Sequence, residues 1–231
     1  MKNSLRPKVL FFDVNETLLD LTVLKENVKE LLNDKEELLT LWFTTMLQYS
    51  LVTSASGQYE DFGKIGAATL QMVAANNDIH IPEAKARKVV IDSLRHLSAH
   101  PEVKEALTQL KNDGYTLVSF TNSSNEGVKK QFEHAGLIEF FDQRLSVEDA
   151  GKFKPFTESY VWAAEKLGVL PDQCMMIAAH GWDVAGASWA GWRTAFIKRP
   201  GQQQYPLAPA SEIVATNLLE IANTLVNSPK N

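Results

Sequence analysis

The 231-residue chain has a single cysteine, Cys174, which excludes an internal disulfide and leaves a cysteine metal cluster without ligands. Positive charge is not in excess. Lys and Arg number 23 against 28 Asp and Glu, a formal net charge of −5, and the basic residues are scattered, which argues against a nucleic-acid surface. Long apolar runs are also missing. Lys2, Arg6 and Lys8 precede the run Val9-Leu10-Phe11-Phe12, but Asp13 ends it, far short of a membrane span or the core of a signal peptide. No internal repeat or low-complexity tract is present. At 45% hydrophobic and 22% charged, the composition is that of an ordinary globular protein, and the cytoplasm is the expected location.

What is present is a strand-like run ending in acid: Phe11-Phe12-Asp13-Val14-Asn15-Glu16-Thr17. Open parallel sheets bind ligands beyond the carboxyl ends of their strands, which is where Asp13 would fall. A helical stretch follows, from about Leu21 to Ala99. Leu21, Val28, Leu31 and Leu32 recur at helical spacing, as do Leu38, Leu41, Trp42, Met46 and Leu47. Phe62, Ile65, Leu70 and Val73 mark a third helix, and Pro82 opens a fourth.

From His100 onward helices and strands alternate. Helices are expected from Pro101 to Gly114, from Ser124 to Gly136, from Pro155 to Gly168, over 182–190 and near 212–226. Strands are expected over 115–121, 141–147, 175–179 and 192–197. This order implies a parallel, doubly wound α/β sheet. Residues 1–18 and 99–231 are read as its core, with 19–98 as an inserted helical cap.

Three further motifs follow, two of them at expected carboxyl edges. Ser119-Phe120-Thr121-Asn122-Ser123 ends one strand in hydroxyl and amide groups. Lys152-Phe153-Lys154-Pro155 precedes a helix carrying Tyr160, and Ala178-Ala179-His180-Gly181-Trp182-Asp183 follows another strand. Taken singly, each reads equally as a polar turn, a solvated lysine or a helix cap.

Together the four motifs resemble the haloacid dehalogenase superfamily, and within it the L-2-haloacid dehalogenases, over nearly the whole chain. Tyr59-Glu60-Asp61-Phe62 in the helical stretch and Gly186-Ala187 after Asp183 add to the match. The resemblance implies a Rossmann-like parallel core with a helical cap and Asp13 as nucleophile, with Thr17, Thr121, Lys154, Tyr160 and Asp183 orienting or stabilising it. It places Asn122, Leu47, Phe62 and Trp182 against substrate or departing halide, counts Thr121 and Tyr160 among the substrate-binding residues as well, and puts Phe43 on the cap wall. The implied reaction is hydrolysis of a short 2-halocarboxylic acid through an aspartyl ester, without metal or cofactor, in a homodimer.

The chain departs from the pattern at several positions. Phe43 stands where the commonly studied dehalogenases carry arginine. Asn15 and Glu16 replace an aromatic residue and a glycine, and Ala178 and His180 replace a serine and an asparagine. Glu16 and His180 fall in neighbouring loops, which suggests a dyad that activates the hydrolytic water. The competing reading is a magnesium-dependent phosphatase. It is disfavoured because Asn15, where family phosphatases place a second aspartate, cannot protonate a leaving alkoxide.

Overall fold

The computed structural model describes residues 6–229; Lys2 lies outside them. β1 (Val9–Phe12), β2 (Thr116–Thr121), β3 (Gln143–Ser146), β4 (Cys174–Ala178), β5 (Arg193–Ile197) and β6 (Ile213–Ala215) form one sheet in the order β3-β2-β1-β4-β5-β6. Each neighbouring pair is parallel. β1 is buried along its whole length, which is why it reads as an unbroken apolar run and not as an alternating one. β1 pairs with β2 and β4, with Phe12 in register with Ser119 and Ile177. Asp13 N–H donates to Ile177 O at 3.1 Å, so the ladder delivers Asp13 to the carboxyl edge beside both neighbouring strands.

Between β1 and β2 the chain forms α1 (Thr22–Leu31), α2 (Glu36–Ala55), α3 (Phe62–Ala75), α4 (Glu83–Arg95) and α5 (Val103–Asn112). α2 packs on α3, α3 on α4, and α1 on α4. α5 instead packs against β2 and α10 (Leu218–Val226). Trp42 of α2 is buried and its indole N–H donates to Gly66 O at 2.8 Å, tying α2 to α3. No helix among the described residues is long and apolar enough to cross a membrane.

The remaining helices are α6 (Asn125–Ala135), α7 (Val147–Ala150), α8 (Thr157–Leu167) and α9 (Gly181–Trp189). Ser124 caps α6 by accepting from Gly127 N–H, and Gly136 ends it at φ +65°, as its sequence signals require.

Three expectations are corrected. The strand expected over 141–147 stops at Ser146, whose hydroxyl accepts from Glu148 N–H and starts α7. The helix expected near 212–226 begins only at Leu218, after Asn217 caps it. Ile213–Ala215 instead pairs with β5 as an edge strand. Pro155 does not open α8, which starts at Thr157. Both backbone groups of Lys154 are bonded to the Asn122 side chain, holding the preceding segment out of the helix.

Candidate active site

Three strand ends and the loop before α8 place the polar groups. Asp13 follows β1, Thr121 closes β2, Lys154 precedes α8, and His180 and Asp183 stand between β4 and the first turn of α9. All are buried. Lys154 Nζ donates to Asp13 Oδ1 at 3.1 Å, to Asp183 Oδ2 at 2.5 Å and to Phe120 O at 2.8 Å. An ammonium has three donors, so every one is used and its position is fixed. Thr17 donates its hydroxyl to Asp13 Oδ2 at 2.7 Å and accepts from Ala179 N–H at 2.9 Å. Tyr160 donates to the other oxygen of Asp183 at 2.6 Å.

These contacts set the charges. Burial alone would raise the Asp13 pKa, but Lys154, His180 and Thr17 outweigh it and hold Asp13 well below the usual carboxylate range. Burial would likewise lower Lys154, yet its two carboxylates push it up. Asp183 is raised, by burial and then by the neighbouring Asp13 charge, because two carboxylates share one ammonium. Burial and Asp183 also hold the Tyr160 phenol neutral.

Above Asp13 lies a cavity of about 30 Å³. A cavity needs roughly 10–15 Å³ to hold one water, so this one is large enough to admit water. Leu24, Trp42, Phe43, Met46, Leu47 and Phe62 wall it from α1, α2 and α3; Thr121, Asn122, His180 and Trp182 line it from the sheet side. The imidazole of His180 is stacked between Phe43, with ring centroids 6.3 Å apart, and Trp182, at 5.1 Å. His180 Nδ1 lies 3.0 Å from Asp13 Oδ2. An ionised carboxylate only accepts, so this contact assigns a proton to Nδ1, and in the neutral imidazole Nε2 is then the acceptor. Nε2 of His180 and Nε1 of Trp182 are both buried without a protein partner.

Two of the expected roles are corrected by this geometry: Glu16 does not meet His180, and Tyr160 does not reach the cavity. Glu16 adopts φ +64°, and its carboxylate pairs with Lys25 at 3.0 Å, whereas His180 is bonded to Asp13. Tyr160 is wholly buried behind Asp183, so it braces that carboxylate and cannot touch substrate. Asn122 lines the cavity, but its amide is engaged with the Lys154 backbone. Gly186 makes room for this bracing, since a Cβ there would lie 2.5 Å from Pro155 Cβ and 2.9 Å from the Tyr160 hydroxyl.

Sequence reading missed the supports of the Asp13–Thr17 turn. Gln131 donates to Asn15 Oδ1 at 2.8 Å, His100 Nε2 lies 3.0 Å from Glu16 O, and Arg199 donates to Thr17 O at 3.0 Å. None of these three sits in one of the four motifs.

Magnesium at Asp13 and Asp183 would have to displace or share bonds already made. Among the described residues, no three His, Cys, Asp or Glu side chains group as ligands, and every oxygen of Asp13 and Asp183 already has a protein partner. Mg²⁺ demands a near-octahedral shell of oxygens. Here an ammonium stands between the two carboxylates instead.

(S)-2-haloacid dehalogenase 4A of Burkholderia cepacia is 31% identical over 212 residues, covering 90% of each chain. (S)-2-haloacid dehalogenase 1 of Pseudomonas sp. (strain CBS-3) is 29% identical over 200 residues, covering 86% of this chain and 88% of its own. The L-2-haloacid dehalogenase of Xanthobacter autotrophicus shares the fold, with a TM-score of 0.88 at 21% identity over 96% of this chain and 99% of that one. The family model for haloacid dehalogenase-like hydrolases matches residues 7–191, which span all four motifs from Asp13 to Asp183. With the buried carboxylate, its lysine and its threonine assembled on this sheet, the chain belongs to the haloacid dehalogenase-like hydrolases.

Proposed function

We propose that this enzyme hydrolyses short L-2-haloalkanoic acids to D-2-hydroxy acids through a covalent ester on Asp13. The observation that carries this reading is an ionised, fully braced carboxylate at the floor of a small apolar cavity. The (S)-2-haloacid dehalogenases among its relatives support it. In this reading residues 19–98 are the cap and 1–18 with 99–231 the core. Catalysis needs no metal or cofactor. A cytoplasmic homodimer fits the lone buried thiol of Cys174 and the exposed Leu41, Tyr49, Leu51 and Val52 on α2.

Asp13 attacks the carbon from behind the carbon–halogen bond, forming an ester and releasing halide with inversion. Phe43, Leu47, Phe62 and Trp182 keep water away from that displacement. Water then adds to the Asp13 carbonyl carbon. His180, whose Nδ1 faces Asp13, takes its proton on Nδ1 in the tautomer protonated at Nε2 and returns it to the departing hydroxy-acid oxygen, while Lys154 and Thr17 stabilise the oxyanion. His180 acts here without Glu16. In His180→Ala the second step is expected to slow by about 10²-fold, so intact-protein mass spectrometry should find the ester accumulating. Unimpaired turnover would remove His180 from the mechanism.

Halide release from each enantiomer of 2-bromopropionate, with EDTA present, tests the reading. Release from the L form only is expected. Silence toward both, with magnesium-dependent cleavage of p-nitrophenyl phosphate, would move the enzyme to the phosphatases.

A further inference from the structure

The turn that presents Asp13 and Thr17 is held from outside the cavity. It folds back on itself, with Glu16 N–H donating to Leu19 O at 2.9 Å and Leu18 N–H to Val14 O at 2.9 Å. Glu16 at φ +64° occupies a region that side chains disfavour, and such backbone persists only where its surroundings over-determine it. Here two consecutive carbonyls are each taken by a distant side chain, Glu16 O by His100 and Thr17 O by Arg199.

Arg199 carries the longer reach. It follows β5, beyond the residues matched by the family model, and is 8% exposed. Its Nη2 donates both to Thr17 O and to Glu102 Oε1, the latter at 2.7 Å. Glu102 also accepts from Leu218 N–H at the start of α10. Neither Arg199 nor Glu102 lines the cavity, so neither can touch substrate.

Thr17 is where this anchoring matters. Its hydroxyl is bonded on one side to Asp13 and on the other to Ala179 N–H, so its backbone position sets the orientation of the Asp13 carboxylate. We propose that Arg199, fixed by Glu102, is a positioning residue for the nucleophile: it pins the Thr17 carbonyl and thereby holds the hydroxyl that aims Asp13. The inference rests on Asp13 being the nucleophile of the reaction above. An arginine suits the task because its charge-assisted bond to Glu102 immobilises the donor that Thr17 receives.

The test compares Arg199→Met with the double variant Arg199→Met/Glu102→Leu. The double variant removes both partners of the ion pair, so it recovers thermal stability that the single variant loses, without restoring the bond to Thr17. In both, kcat for L-2-bromopropionate should fall about 10- to 100-fold with KM within about threefold of wild type. Arg199→Lys should recover part of that loss. Amide hydrogen exchange over residues 13–19 should speed up in both methionine variants while β2 and β4 keep their protection. Wild-type kcat in the double variant would show Arg199 to be purely structural and overturn the proposal. Unchanged exchange over 13–19 would overturn it whatever the substrate. Faster exchange in the variants, beside a wild type silent toward both enantiomers, would support the anchoring and sink the dehalogenase reading instead.

Discussion

In Asp13→Ala, halide release is expected to stop, with kcat falling about 10⁴-fold or more, because the group that forms the covalent bond is gone. Folding should survive this change. Lys154 keeps Asp183 at 2.5 Å, and the two buried carboxylates competing for one ammonium become one. The thermal midpoint is therefore expected to hold or rise while activity vanishes, a separation that a merely structural Asp13 would not give. Isotope labelling makes the result specific to the ester route. With enzyme in excess over substrate in H₂¹⁸O, the hydroxy acid should carry oxygen from Asp13, and the label should remain in the Asp13 carboxylate. Label in the product would mean that water attacks the carbon directly.

Lys154→Met is expected to damage both stability and activity. Breaking a buried ion pair by removing one partner costs about 3–5 kcal/mol, since the other charge is left uncompensated. Both Asp13 and Asp183 would be left so, in a site where Lys154 itself is 1% exposed. The contribution of Asp13 to the pH dependence should change sign. In the wild type, Asp13 has a folded pKa below its unfolded value of about 3.9, so its contribution is complete above that pH and fades as pH falls toward the folded value. The contribution of Lys154, whose pKa is raised, persists through neutrality and is lost only as pH rises through its folded value. Without the ammonium, burial is expected to push the carboxylates above their unfolded values. The folded variant then binds protons that the unfolded chain does not, and stability declines from about pH 5 to 7. Urea midpoints measured across that range check it. A variant as stable at pH 7 as at pH 5 would show that Lys154 does not set these charges.

The sequence made the scaffold and the charged centre legible for physical reasons. β1 is buried on both faces and must be wholly apolar, so the first polar residue after it, Asp13, marks the sheet's carboxyl edge. Helical periodicity located α1 to α4, and Ser124 with Gly136 fixed α6. The failures have equally local causes. β6 has three residues and sits at the sheet edge, too short to display a pattern. Glu16 and His180 do fall in adjoining loops, but the left-handed backbone at Glu16 pairs its carboxylate with Lys25, and no spacing rule reports that. Tyr160 lies within bonding distance of Asp183 and still outside the cavity, a difference of depth that sequence does not encode. Arg199, His100 and Gln131 act through backbone or amide groups of the Asp13–Thr17 turn and carry no motif of their own.

The placement of β1 also bears on how the molecule is made. Of the six described strands, β1 is made before the others and is central in the sheet, and its acid is neutralised by a lysine 141 positions later. At about 5–20 residues per second, roughly 7–28 s of synthesis separate the two. Throughout that interval Asp13 has no ammonium to meet, and an unpaired carboxylate resists burial. β1 must wait in water for Lys154 and for β4, so the centre of the sheet closes only after β2 and β3 have been made.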